Sequence, residues 1–425
     1  MSKIVERSFL EESQKGYDPR RAREEAMRCI LCHDAPCSAG CPAGTDPARF
    51  IRSIRFGNVK GAAEIIRENN VLGGCCANLC PYDRMCEEAC SRCGIDVPIQ
   101  IGRLQRFAVE QEQAFGMQIL KAPAEKKRGK VACVGAGPAS LAVAAKLAME
   151  GCAVTIYEAL SGPGGMLAYG IIPARLPQRT VDFDIQQIKN LGVEFVFNTR
   201  VGKDIAFDKL KADYDAVFVG VGLWGPKLPD IPGIELGGVV SAVEFLKEAR
   251  ESGGKLNPGN DVLVIGGGDV TMDCASAAKQ LGAKRVTIVY RRSITEAPAN
   301  MSELAYVQEM GVSMTTEMAP SEVFGENGKV VGMVFNSRDG YSGLKMKADK
   351  VIFAIGQALE DTKTGLALSD KGYLVADEKG RTAVAGVFAA GDAVNGGATV
   401  VEAVAQGKEA AASILAYLDE KVGAK

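Results

Sequence analysis

The run Lys130-Val-Ala-Cys-Val-Gly135-Ala-Gly137-Pro-Ala-Ser140 leads from a strand-length apolar stretch, through two glycines, into a helical pattern that reaches Glu150. A second strand, Ala153 to Tyr157, follows and ends at Glu158. Strand, glycine turn, helix and strand in that order make the dinucleotide-binding fingerprint in its required setting. Gly135 permits the tight turn. Gly137 lets the backbone approach a pyrophosphate on the helix N-terminus, where unpaired N–H groups and the helix dipole attract anions. Ala136, Pro138 and Ala139 complete the loop, Ser140 stands where a third glycine is usual, and Glu158 is placed to accept from ribose hydroxyls.

The pattern recurs. Strand Asp261 to Ile265 runs into Gly266-Gly267-Gly268-Asp269-Val270-Thr271, a helix through Gln280, and strand Arg285 to Tyr290, which ends in Arg291-Arg292. A basic pair stands here where the first unit has an acid. Guanidinium groups bind a 2′-phosphate by charge-assisted, bidentate hydrogen bonds, so the pair favours NADP over NAD; the plain alternative is a solvated basic strand end. Farther on, apolar Val387 to Ala390 meets Gly391-Asp392, and Ala398 to Ala405, with Thr399 near its start, has helical spacing. Such an aspartate can hold a flavin ribityl or phosphate group above a helix start, which points to FAD. Two more strands end in glycine, at Val217 to Gly222 and Val351 to Gly356. They mark where the chain crosses between nucleotide domains, so the flavin domain is expected to be split by the nicotinamide domain.

Cysteine is the most uneven residue. Ten of the 13 lie between Cys29 and Cys93, and Cys133, Cys152 and Cys274 are scattered singly. The first group is Cys29-x2-Cys32-x4-Cys37-x3-Cys41-Pro42, and the second is Cys76-x3-Cys80-Pro81-x4-Cys86-x3-Cys90. Disulfides would need an oxidising compartment, and structural zinc takes four ligands in paired CxxC units, whereas the two CxxC pairs here, Cys29/Cys32 and Cys90/Cys93, stand among six further cysteines. Tight spacing with a Cys-Pro end suits [4Fe–4S] clusters, in which a fourth ligand commonly comes from a distant segment. Cys75 and Cys93 fall off the repeated spacing and read as spare, while Cys76 stays open. Short helices, Asp46 to Phe56 and Lys60 to Glu68, carry too few apolar residues for a core of their own, so metal ligation is expected to hold this segment together.

With 425 residues the chain is too long for a single compact core. Its composition, 47% hydrophobic and 24% charged, is that of a folded globular protein. A net charge of −2 leaves no basic field for nucleic acid or an anionic membrane. The charged N-terminus lacks a secretory signal, and the apolar run Val131 to Val154 is broken by glycine, proline and charge, so a cytoplasmic protein without a membrane span is expected. The fold class is α/β: a helical iron–sulfur domain over 1–128, an FAD domain in two parts over 129–225 and 351–425, and an NAD(P) domain over 226–350. The body has no redox CxxC beside a flavin, which excludes a disulfide-reductase mechanism, and the single histidine, His33, reads as a surface residue.

Cys29-Ile-Leu-Cys-His-Asp-Ala-Pro-Cys37, Phe50 to Asn70, Ile99 to Phe107, both glycine motifs and Arg175-Leu-Pro177 make the chain resemble the flavin-containing subunit of bacterial dihydropyrimidine dehydrogenase from about residue 25 to 420. It also resembles the N-terminal half of the single-chain eukaryotic enzyme. The resemblance implies one cluster on Cys29, Cys32, Cys37 and Cys80 and another on Cys41, Cys86, Cys90 and Gln105. It places Arg175, and the Gly162 to Leu167 loop with Gly165 and Met166, near the flavin. It further implies hydride transfer from NAD(P)H to FAD, single electrons passing through the clusters, and a separate FMN- and iron–sulfur-containing catalytic subunit, because the chain ends shortly after the flavin helix. The small subunit of NADPH-dependent glutamate synthase has the same layout and is the nearest alternative. A non-enzymatic electron-carrier or assembly module is the alternative from another class.

Overall fold

The structure, a computed structural model, describes residues 4–423. The first helices are α1 (Pro19–Met27), α2 (Pro36–Ala39), α3 (Pro47–Arg55), α4 (Val59–Asn69), α5 (Gly73–Leu79) and α6 (Ile101–Ala114). Their starts are written locally. Asp18 accepts from the Arg21 N–H at 2.8 Å and Asp46 from the Arg49 N–H at 3.1 Å, each just before a proline at the first helical position, and Asn58 accepts from the Gly61 N–H at 2.9 Å. Phe50, Ile51, Ile54 and Ile66 then pack against Ile101, Leu104 and Phe107, with Cys29, Cys37, Cys86 and Cys90 at the edge of that cluster. This segment therefore has an apolar core of its own, larger than its sequence suggested.

The flavin-type sheet follows with β1 (Lys130–Val134), α7 (Pro138–Met149), β2 (Ala153–Tyr157), α8 (Met166–Tyr169), α9 (Gln178–Asn190), β3 (Glu194–Val196), α10 (Phe207–Asp213) and β4 (Ala216–Val219). Next come β5 (Gly225–Pro226), β6 (Val239–Ser241), α11 (Ala242–Glu251), β7 (Asp261–Ile265), α12 (Asp269–Gln280), β8 (Arg285–Val289), α13 (Met301–Glu309) and β9 (Ser313–Thr315). An antiparallel sheet, β10 (Met318–Glu326), β11 (Lys329–Ser337) and β12 (Gly343–Lys347), leads to β13 (Lys350–Phe353) and β14 (Gln357–Ala358). The chain returns through β15 (Val387–Ala389) and α14 (Asp392–Asn395) to the long helix α15 (Val400–Gly423).

Two five-stranded parallel sheets result, ordered β15-β4-β1-β2-β3 and β6-β13-β7-β8-β9. Because β15 pairs with β4, the flavin-type sheet is completed by residues from beyond the second one, as the glycine-ended strands indicated.

The chain forms two compact units. One contains residues up to Ser13, Tyr169–Ala174 and Trp224–Ala358; the other contains Gln14–Ala168, Arg175–Leu223 and the chain from Leu359 onward. Two expected boundaries move. Strand β13 hydrogen-bonds to β6 and β7, so residues 351–358 belong with the nicotinamide-type sheet rather than with the second flavin part. At the other end of the chain, Phe9 is 4% exposed in a core with Ile172, Ala174 and Phe245, so the first residues leave the iron–sulfur segment too. The rest of that segment shares a unit with the flavin-type sheet. No helix among the described residues is long and apolar enough to cross a membrane.

Candidate functional site: a flavin cradle and two thiol groups

At the end of β1 the chain turns at Gly135, whose φ of +88° suits glycine; a Cβ there would lie 2.9 Å from the Gly220 carbonyl oxygen. Gly137 opens α7 with no side chain over the helix end. Gly165, at φ +55°, comes so close that a Cβ on it would stand 2.9 Å from the Gly137 Cα. Backbone is thus brought to backbone around the start of α7, leaving the approach that a pyrophosphate needs. Ser140 is fully buried, and its hydroxyl oxygen finds no hydrogen-bond partner among the described residues. A buried hydroxyl left open beside such a cradle fits a bound dinucleotide.

Glu158 does more than the motif suggested. It is 6% exposed and accepts from the Ala136 N–H at 2.7 Å and from the Leu160 N–H at 2.8 Å. The carboxylate therefore braces the glycine loop and has further lone pairs to offer. Burial raises its pKa, and those backbone N–H groups oppose the rise.

From the far side, Gly391 reaches α7, its absent Cβ falling 3.0 Å from the Ala139 Cβ, and its N–H donates to Gln406 Oε1 at 2.9 Å. Asp392 accepts from the Ala398 N–H at 3.1 Å, and burial pushes its carboxyl upward. The Thr399 hydroxyl donates to Glu402 at 2.6 Å, which makes this side chain a helix cap as well as a flavin candidate. Met166 and Arg175 are half-buried, Met166 at the start of α8 and Arg175 in the turn before α9. Gly164 and Gly220, from the loop and the strand end already named, are brought to this cradle, and so is Gln406, which had not been singled out. Gly164 adjoins the Gly165 position, whereas Gln406 carries no local signal.

In the nicotinamide-type unit the Gly266 N–H donates to the Val289 carbonyl at 3.1 Å, and the Gly268 N–H to Thr271 Oγ1 at 3.3 Å. Asp269 accepts from the Asn300 N–H at 2.8 Å, which ties the start of α12 to the segment after β8. Val270 is 41% exposed at that helix start. Arg291 and Arg292 are exposed just past β8.

The thiols fall into two sets, and here the expected grouping needs correction. Cys29, Cys32, Cys37 and Cys90 line one cavity together with Ile30, Ile51 and Ile99. Cys80 does not. Burial and then its neighbours Cys90, Cys29 and Cys32 push the Cys37 thiol up to about 11. Cys80 has other company: a hydrogen bond with Cys76, burial, and the neighbouring Cys86 and Cys41 all raise its thiol. Cys86, pushed up to about 12, feels burial, Glu87, Cys41 and Cys37. The two x3 spacings thus cross. Cys90 joins the first set and Cys80 joins Cys41 and Cys86, because the chain after Cys90 runs back along the first cavity through Ile99 and Ile101.

Gln105, 9% exposed on α6, donates to the Gly73 carbonyl at 2.7 Å, at the start of the helix that carries Cys76. Cys75 is buried and its N–H donates to Asp184 at 2.8 Å, whereas Cys93 is exposed and its Sγ stands 3.3 Å from the Glu87 carbonyl. The Cys37, Cys80 and Cys86 thiols, held toward the protonated form, would ionise on ligating a metal and release their protons. Four thiols lining one largely apolar cavity are the donor type of a [4Fe–4S] cluster.

A buried ionic group ties the thiol-bearing segment to the flavin-type sheet. Arg67 on α4, 1% exposed, donates from Nε to Glu112 on α6 at 2.9 Å, and its Nη2 stands 2.8 Å from Asp184 on α9.

Two family models match the chain. Residues 129–407 match the pyridine nucleotide-disulphide oxidoreductase family, and residues 6–117 match dihydropyrimidine dehydrogenase domain II, 4Fe-4S cluster. The chain is 44% identical over 418 residues to the NAD-dependent dihydropyrimidine dehydrogenase subunit PreT of Escherichia coli O157:H7, covering 98% of this chain and 99% of that one. It is 37% identical over 425 residues to the NADP(+)-dependent formate dehydrogenase subunit beta of Moorella thermoacetica, covering 90% of this chain and 60% of that one. Among solved structures, Mycobacterium tuberculosis FprA in complex with NADPH superposes with a TM-score of 0.59 at 22% identity, covering 70% of this chain and 86% of that one. Thioredoxin reductase of T. acidophilum superposes with a TM-score of 0.56 at 21% identity, covering 68% and 99%. Both share the fold of the two parallel-sheet modules. With a dinucleotide-type oxidoreductase body, a 4Fe–4S domain ahead of it and close identity along nearly the whole length, the chain belongs to the PreT family of dihydropyrimidine dehydrogenase subunits, NAD(P)-dependent flavin and iron–sulfur oxidoreductases.

Proposed function

We propose that this chain is the electron-input subunit of a dihydropyrimidine dehydrogenase, taking reducing equivalents from NAD(P)H and passing them to a separate FMN-containing subunit that reduces uracil or thymine, reversibly. The observation that supports this most is the union, in one compact unit, of the flavin cradle and two thiol sets. FAD supplies hydride acceptance from nicotinamide, and the [4Fe–4S] groups supply one-electron transfer.

The protein's own part is to hold and to insulate. The N–H groups at the start of α7 and the Gly164–Gly165 turn receive the FAD pyrophosphate, and Glu158 fixes the glycine loop while accepting from the adenosine ribose. Asp392 and the start of α15 serve the ribityl side. Cys29, Cys32, Cys37 and Cys90 hold one cluster; Cys41, Cys80 and Cys86 hold the other, with Gln105 as its fourth ligand. Arg291 and Arg292 read a 2′-phosphate and so select NADPH, against the NAD named for the PreT relatives.

The test is reconstitution. The purified chain with NAD(P)H should reduce artificial acceptors and leave uracil unchanged. Adding an FMN- and iron–sulfur-containing partner subunit should yield dihydrouracil. Uracil consumption by the chain alone, or glutamine-dependent NADPH oxidation with 2-oxoglutarate on mixing with a glutamate synthase large subunit, would contradict the proposal.

A further inference from the structure

Lys408 lies on α15, the helix that begins beside Asp392, yet its ammonium serves the iron–sulfur segment. Its Nζ donates to the Ala43 carbonyl at 2.6 Å and stands 3.4 Å from Asn69 Oδ1. Ala43 is two residues beyond Cys41, in a turn closed by the Gly44 N–H donating to the Cys41 carbonyl at 3.0 Å. Within that turn Ala43 and Thr45 are each 2% exposed, while Pro42 and Gly44 face outward. Close packing one residue earlier fixes where Lys408 points: a Cβ on Gly407 would lie 2.6 Å from the Ala139 carbonyl oxygen and 3.0 Å from the Ala142 Cβ. The rotation of α15 is therefore set against α7, the helix that receives the FAD pyrophosphate. Burial works against the charged ammonium, and Cys41 works in its favour. A half-buried lysine reaching from the flavin helix to the loop of a thiol ligand is more than a turn needs, since a neutral donor would serve the Ala43 carbonyl equally well.

We propose that Lys408 is a positioning and tuning residue for the cluster held by Cys41, Cys80 and Cys86, its positive charge raising that cluster's reduction potential and so drawing electrons out of the flavin. The inference rests on the function proposed above. Reduction adds one electron and one unit of negative charge to the cluster, with no bond made or broken and no proton taken up. The electron comes from flavin reduced by NAD(P)H. A nearby fixed cation stabilises the reduced form more than the oxidised one, and net charge and hydrogen bonding around the sulfurs are the protein's means of setting such potentials.

The experiment is an anaerobic redox titration of the full-length, cluster-loaded chain, followed by electron paramagnetic resonance, on the wild type and on Lys408→Met, Lys408→Gln and Lys408→Arg. Met and Gln should both shift one cluster to lower potential while the other cluster and the flavin stay in place, and Arg should stay near the wild type. A potential unchanged in the Met variant overturns the proposal. So does a Gln variant that matches the wild type while Met loses iron, since a neutral donor to Ala43 would then be all that is required. Failure of the wild-type clusters to accept electrons from NAD(P)H is a separate result, and it would count against the proposed function instead.

Discussion

The parallel-sheet modules and the iron–sulfur segment solve the same problem, holding a redox group, in opposite ways. In the sheets, fold and site are one local pattern: strand β1, the Gly135 turn and α7 lie within twenty residues and make the cradle as they fold. In the iron–sulfur segment the ligands of a single cavity stand as far apart as Cys29 and Cys90, and helices α1, α3 and α6 must pack before the thiols meet. Local order is enough for the first. Tertiary order is needed for the second, and ligation in turn supports it.

Single substitutions can break this contrast. The largest effect is expected at the thiols. Cys90→Ser should lose the cluster of Cys29, Cys32 and Cys37, about four iron atoms per chain, and Cys80→Ser should lose the other. Cys93→Ser should lose none. Iron analysis with electron paramagnetic resonance would show it, and a shared phenotype for Cys90→Ser and Cys80→Ser would contradict the two-set grouping.

Next comes the buried ionic group. Arg67→Met leaves Glu112 and Asp184 buried without their cation and should cost about 3–5 kcal/mol in denaturant unfolding. Burial already pushes the Glu112 carboxyl upward against the pull of Arg67, and without Arg67 that opposition is gone. The neutral form of Glu112 is tolerated, so the deficit should shrink as pH falls from neutral toward the ordinary glutamate range and its Glu112 part should be gone below about pH 4. A loss that stays constant with pH would argue against buried carboxylates as its cause.

The nucleotide site should respond less. Replacing Arg291 and Arg292 together by alanine should weaken NADPH by about 1.5–3 kcal/mol for each charge-assisted bond lost and leave NADH nearly untouched. Equal losses for both nucleotides would mean that no 2′-phosphate is read there.

The smallest effect is expected on the β7–β8 edge. There the hydrogen bond from Arg285, and then Lys347, hold the Asp261 carboxyl below its ordinary range. A depressed carboxyl stabilises the fold at neutral pH, and that contribution is lost as pH falls below about 4. Arg285 is well exposed, so Asp261→Asn should cost under ~1 kcal/mol at pH 7 and nothing at pH 2.

The same contrast explains what could be read from the sequence. Strands Lys130–Val134, Ala153–Tyr157 and Asp261–Ile265 stand where their apolar runs and glycine ends placed them, and β15 completes the first sheet as the split flavin domain required. Spacing alone could not say whether Cys80 or Cys90 joins the first set, because equal x3 intervals precede both. Phe9 joins a core more than 150 residues distant in sequence, at Ile172 and Ala174, and no local period announces it. Gln406 and Lys408 act through contacts that α15 acquires only on packing against α7 and the Ala43 turn.

The central claim, that reducing equivalents enter at the flavin and leave through the iron–sulfur segment, is tested most directly by mixing the purified, cluster-loaded chain with NAD(P)H anaerobically and following flavin absorbance and cluster paramagnetism together. Flavin should bleach first and cluster signals should then grow, both before any partner is present. If the flavin stays oxidised under NADPH and NADH alike, or bleaches while the clusters remain silent, the chain is not the electron-input subunit described here.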